Sequence, residues 1–241
     1  MRVTQKQMVA EAIHNLQGGQ ERLQRLQREA ATGKRLHLPE DDPLAIERAI
    51  TLRSHLRRIS SHRSNLDMTR DWISASERSL RDLEVNLGRA RVLALRGAND
   101  SLSAQERQDL ATEAADLVQQ AIQIGNSTHR GLFLFAGHQT QTAPFALNPG
   151  PPETITYQGD SGDILHEIEP GTVQAINIRG DSSAFTHSFA AFQQLRDGLL
   201  AGDAASARAA IETIDQAIED TLHAIATLGS RQRGLTATQS R

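Results

Sequence analysis

The chain has 241 residues, no cysteine and a formal net charge of −3. The lack of cysteine excludes disulfides, thiol catalysis and zinc–thiolate sites, and the mildly acidic balance argues against a general nucleic-acid binder. No apolar run approaches the length of about 18 residues that a membrane-spanning helix needs, and the start, MRVTQKQMVAEAIHNLQ, lacks the apolar core of a conventional signal peptide.

Residues 5 to 31 read as a helix. Val9, Leu16, Leu23 and Ala30 recur every seven residues, with Ile13 and Leu26 beside that seam. Gly18 and Gly19 interrupt it, and each glycine costs a helix about 1 kcal/mol relative to alanine. Such a helix is weak alone and calls for a partner.

A second helix opens at Asp42, a good N-cap, followed by Pro43, which suits the first helical position. Ala45, Leu52, Ile59, Leu66, Ile73, Leu80, Leu87 and Ala94 then follow at intervals of seven. A sustained heptad repeat specifies a supercoiled seam. At 1.5 Å per residue an unbroken rod to Gly97 is roughly 80 Å long. We expect Leu52, Ile59, Leu66, Ile73, Leu80 and Leu87 to form a core. A second row fails at Arg63, Arg70, Glu77 and Glu84, so a bundle with several neighbours fits better than a two-stranded zipper.

Gly97-Ala98-Asn99-Asp100 stops this helix, and Ser103 with Glu106 forms a capping box. Leu110, Leu117 and Ile124 carry a third helix that ends near Gly125. The short connection predicts an antiparallel hairpin with the second helix. Residues 132 to 185 change character. The proline- and glycine-rich ALNPGPPE is followed by ETITYQ, DILHEIE and VQAINI, with Ile164, His166 and Ile168 alternating on one side. Seven of the eight aromatics fall between Phe133 and Phe192. This predicts a small antiparallel β-domain, residues 136–186, inserted between helical arms. The last part returns to helix, with Asp203 able to cap it, Ile211, Ile218 and Ile225 in one row, and Ile214, Leu228 and Leu235 in another.

The expected fold class is α+β. An elongated antiparallel long-helix bundle is formed by both chain ends (42–135 and 187–241) and carries the inserted β-domain. The chemistry-bearing patterns are sparse. GDSG at 159–162 matches a serine-protease nucleophile motif, yet reads better as a hairpin turn. His55 and His62 are two helical turns apart, too far for shared metal ligation. Glu40, Asp41 and Asp42 lack the spacing of a calcium loop. No phosphate loop or dinucleotide fingerprint is present. The reading is non-enzymatic, with no cofactor and no metal.

Several stretches carry a family resemblance. MRVTQKQM at 1–8, ATGKRLHLPEDDP at 31–43 and LGRARVLALRGAND at 87–100 resemble the N-terminal region of flagellins. NSTHRGLFLFAGHQTQTAPF at 126–145 and YQGDSGD at 157–163 resemble the hook-associated members of that family, found at the hook–filament junction. The resemblance implies an inner-core helix and spoke over residues 1–41, with Asp42 and Pro43 capping the helix at the spoke. It implies subunit contacts through Val9, Leu16, Leu23 and Leu26. It also implies self-assembly into a ring, the first hook-associated protein and flagellin as neighbours, and an export chaperone. Neither nucleic acid nor membrane insertion is implied, and export would proceed without a cleaved signal peptide. Members of the family continue for several heptads beyond a segment like SRQRGLTATQSR, so the partner helix of residues 5–31 is expected in a C-terminal continuation that would also hold the chaperone site.

Overall fold

The computed structural model describes residues 5–33, 42–99, 101–150, 153–169, 171–202 and 204–239. The spoke residues 34–41, with Glu40 and Asp41, and the expected cap Asp203 lie outside the described residues. The chain is α+β. Its elements are helices α1 (Gln5–Thr32), α2 (Pro43–Gly97) and α3 (Ala104–Gly125), strands β1 (Thr128–His129), β2 (Leu132–Phe133), β3 (Phe145–Asn148), β4 (Thr154–Tyr157), β5 (Leu165–Glu169) and β6 (Thr172–Ala175), and helices α4 (Ser183–Leu200) and α5 (Ala204–Gln239). It forms two compact units, Met1–Ser61 and His62–Arg241.

In the second unit, α2 and α5 come from opposite ends of the chain and run antiparallel. Arg208 donates to the carbonyl of Ala98 at 3.0 Å, Arg91 pairs with Asp215 at 2.6 Å, and Gln239 donates to Asp67 at 3.1 Å. The register is the same at all three points. The buried face of α2 is three rows wide. Leu66, Ile73, Leu80, Leu87 and Ala94 form the expected row. Thr69, Ser76, Leu83, Ala90 and Gly97 form a second row, and Trp72, Ser79, Asn86 and Leu93 a third. The small residues of the second row let neighbours approach closely. A Cβ on Gly97 would sit 2.4 Å from Leu199 of α4 and 3.5 Å from the Cβ of Ala207 of α5.

The hairpin of α2 and α3 is stitched by Asn86, whose amide donates to the carbonyl of Leu117 at 3.0 Å. The capping box is closed in both directions. The Glu106 carboxylate accepts from the Ser103 N–H at 2.8 Å, and the Ser103 hydroxyl accepts from the Glu106 N–H at 3.2 Å. Hydrogen bonds to the carboxylate from the Ser103 backbone, first, and from its side chain hold the Glu106 carboxyl below its ordinary pKa. α4 has a short seven-spaced row of its own, Phe185, Phe192 and Leu199. It carries Phe185, Phe189 and Phe192 into the core, where Phe185 meets Phe135 with ring centroids 4.6 Å apart.

The strands form three separate antiparallel hairpins, β1–β2, β3–β4 and β5–β6, rather than one sheet. Between β1 and β2 the chain turns in two residues, Arg130 (φ 52°) and Gly131 (φ 81°). Positive φ at both positions is the primed turn that matches strand twist.

Two expected core residues are corrected. Leu52 and Ile59 are each 64% exposed, whereas Leu66, Ile73, Leu80 and Leu87 are buried. The physical reason is the register: α5 reaches Asp67 at Gln239, the last of its described residues, so no part of described α5 lies beside the residues of α2 before Leu66. In denaturant titrations of this chain, Leu80→Ala is expected to cost about 2–5 kcal/mol. Leu52→Ala should stay within about 0.5 kcal/mol of the parent; a loss as large as that of Leu80→Ala would place Leu52 in a core.

Candidate assembly interface

The first unit carries large apolar side chains that nothing in it covers. On α1, Met8, Val9, Ile13, Leu16, Leu23 and Leu26 are all at least half exposed. Their spacing by three, four and seven places them along one helical face. None of the described α1 side chains is buried. A second set, Leu44, Ile50, Leu52, Leu56 and Ile59, is exposed on the first part of α2. Burying one side chain of this size is worth about 1.5–3 kcal/mol. The six on α1 alone therefore hold a gross drive of order 10 kcal/mol toward any surface that covers them. Contiguous apolar surface of this kind marks an interaction site.

Each expected contact residue thus sits on one stripe: Val9, Leu16, Leu23 and Leu26 lie on the exposed face of α1. Met8 and Ile13 extend it, while Leu52 and Ile59 are exposed on α2. A heptad position reads the same in sequence whether it faces a core or a partner, so periodicity alone does not separate the two. At the start of α2, Asp42 Oδ1 accepts from the N–H of Ala45 at 3.0 Å, and Pro43 is the first helical residue. The missing N–H of proline there leaves no donor unsatisfied. α1 ends on Gly33 at φ 64°, with its N–H donating to the carbonyl of Glu29 at 2.8 Å, a left-handed stop that glycine adopts without strain.

The second unit holds the GDSG stretch, which is not the expected hairpin turn: it links β4 to β5, strands of two separate hairpins. Asp160 Oδ1 accepts from the N–H groups of His138 at 2.7 Å and Gly162 at 2.9 Å. These bonds lower the Asp160 pKa. The His138 ring contacts the carbonyl of Asp163 at 3.1 Å, and the carbonyl of Ser161 accepts from Arg179 at 3.1 Å. Tyr157 closes the knot: its hydroxyl lies 3.0 Å from the carbonyl of Phe135 and 2.9 Å from that of Asp160. Burial, reinforced by the charge of Asp181, pushes its pKa up to about 12. Two glycines permit the crossing. Gly137 takes φ 67°, and a Cβ there would stand 2.1 Å from Asp160 Oδ1. A Cβ on Gly180 would meet the Tyr157 ring at 2.3 Å. Nearby, Asn126 and Phe145 exchange hydrogen bonds, side chain to backbone, at 2.8 and 2.9 Å. The FLFAG, PF and YxGD residues are therefore one tertiary knot that pins two hairpins to α3 and α4.

Residues 3–140 match the bacterial flagellin N-terminal helical region. The chain is similar to flagellar hook-associated protein 3 of Escherichia coli (strain K12), 26% identical over 182 residues, which cover 75% of this chain and 56% of that one. It thus spans just over half the length of that curated relative. It is also similar to the flagellar filament 30.7 kDa core protein of Treponema maltophilum, 24% identical over 208 residues, covering 84% of this chain and 67% of that one. Among solved structures, flagellar hook associated protein-3 from Legionella pneumophila shares the fold, with a TM-score of 0.70 at 15% identity, covering 80% of this chain and 94% of that one.

The lowered Asp160 pKa has a signed consequence. A depressed carboxylate contributes stability above its unfolded pKa and loses it as pH falls through its folded pKa. Acid titration of stability should therefore be flatter in Asp160→Asn than in the parent below the ordinary carboxylate range. Parallel curves would show that the two backbone bonds do not hold the ionised form.

Proposed function

The chain belongs to the family of the bacterial flagellin N-terminal helical region, and from that premise we propose that it is a structural adaptor of the bacterial flagellum. It forms the hook–filament junction, between the first hook-associated protein and flagellin, by self-assembly into a ring. The observation that carries this reading is the uncovered apolar stripe of α1. A helix with so much exposed apolar surface gains little from standing alone, and association with like helices removes that surface from water.

In this reading residues 1–41 are the inner-core helix and spoke. Residues 42–135 with 187–241 are the helical domain around it, and 136–186 are an outer β-domain. Val9, Leu16, Leu23 and Leu26 make the subunit contacts, and Asp42 and Pro43 fix where the spoke becomes helix. The role is mechanical and non-enzymatic, with no cofactor and no metal. The protein is exported through the flagellar channel without a cleaved signal peptide. An export chaperone holds the protein before assembly. Similarity to a filament core protein favours a second reading, a filament subunit that polymerises along the whole structure.

The test is Leu23→Asp in the full-length protein in cells. It should abolish swimming, with purified protein unfolding as the parent does, because Leu23 is 57% exposed. Normal motility in that strain would overturn the assignment of α1 to subunit contact.

A further inference from the structure

A cavity of about 410 Å³ lies in the second unit. Its walls come from α2 (Met68, Trp72), the β1–β2 turn (His129, Arg130) and β5 with its approach (Ile164, His166). This size and a mainly apolar lining with a few polar groups are those of a small-molecule pocket.

Three features define the lining. First, Trp72 is more than nine-tenths buried, and its indole N–H has no hydrogen-bond partner among the described residues. That nitrogen is closed off from the cavity as well, so Trp72 meets a bound molecule with its ring rather than with its N–H. Second, Arg130 stands at φ 52°, the one non-glycine residue at positive φ among the described residues. A primed turn takes asparagine or glycine there at less strain, and strained residues of this kind gather at ligand sites. One guanidinium nitrogen reaches Asp71 at 3.1 Å, and the group has donors to spare. Third, among the described residues no aspartate or glutamate lines the cavity, and the one fully charged lining group is cationic.

The histidines are engaged elsewhere. His166 Nδ1 lies 2.6 Å from the Thr69 hydroxyl, and the His138 ring meets the carbonyl of Asp163. His129 stands edge-on to Trp72, with ring centroids 6.3 Å apart. Among the described residues no three His, Asp or Glu side chains converge on a metal position.

We propose that this cavity binds a small amphiphilic anion, with its apolar body against Trp72, Met68 and Ile164 and its carboxylate held by Arg130. The adaptor reading does not enter this argument, and the two stand or fall separately.

Trp72 is the only tryptophan in the chain, so its fluorescence reports directly on occupancy. Phenylbutyrate titrated into the full chain should give a saturable change in Trp72 emission. Phenylbutanol, of the same shape without the charge, should bind at least tenfold more weakly. Arg130→Asn should lose at least tenfold in phenylbutyrate affinity while melting at the same or a higher temperature, because asparagine tolerates the turn better. That rise or equality separates loss of the site from loss of the fold. No saturable change with phenylbutyrate, equal binding of the alcohol, or unchanged affinity in Arg130→Asn would each overturn the proposal.

Discussion

The antiparallel register between α2 and α5 is the constraint from which the rest of the second unit follows. Polar contacts at Ala98, Arg91 and Asp67 of α2 meet Arg208, Asp215 and Gln239 of α5 at one constant offset. Exposed ion pairs are individually worth little, so they mark the register more than they enforce it. Packing enforces it. Ala207, Ala210, Ile214, Ala217, Thr221, Ala224 and Leu228 line the inner face of α5, and the row from Thr69 through Ala90 to Gly97 brings small residues to α2. Sliding either helix by a residue would set large side chains against large and leave voids between small ones. α4 fills the remaining side of this frame with three phenylalanines.

The hairpins depend on that frame in turn. A lone two-stranded hairpin is marginal in water, and here each of the three is a separate pair. What holds them is the knot of Tyr157, Asp160, Asn126 and Phe145 on α3 and α4. Phe145 touches Tyr157, Phe185 and Phe189 with ring centroids 4.8 to 5.4 Å apart. On the other side, Arg231 of α5 donates to the carbonyl of Asn177 at 2.8 Å, and Asn177 bonds to the backbone at Gly162 and Ile164. The family-like motifs are thus explained by close crossings rather than by chemistry at a reactive centre.

Long-period features of the sequence are legible because they follow from the helix repeat. The heptads of α2 and the capping box at Ser103 and Glu106 are of this kind, as is the alternation of Ile164, His166 and Ile168. Other features are invisible for equally physical reasons. The second buried row of α2 holds threonine, serine and glycine, which a search for apolar residues passes over. Ile59 and Leu66 occupy equivalent heptad positions, and only the reach of α5 along α2 makes one exposed and the other buried. α4 carries only a short seven-spaced row, Phe185, Phe192 and Leu199, and its phenylalanines read as part of the aromatic insert. The Trp72 cavity is built from separated segments, so no local pattern announces it. For the stripe of α1, periodicity gave the face, and exposure gave its lack of an intramolecular partner.

The adaptor account makes a claim about place: a protein with an uncovered apolar helix and a knotted outer domain occupies one ring at the junction of hook and filament. Immunogold electron microscopy of native flagella, with antibody raised against residues 136–186, tests that claim most directly. The account predicts label confined to a single band between hook and filament. Label along the whole filament would contradict it and make the protein a filament subunit; flagella without label would remove the flagellar assignment altogether.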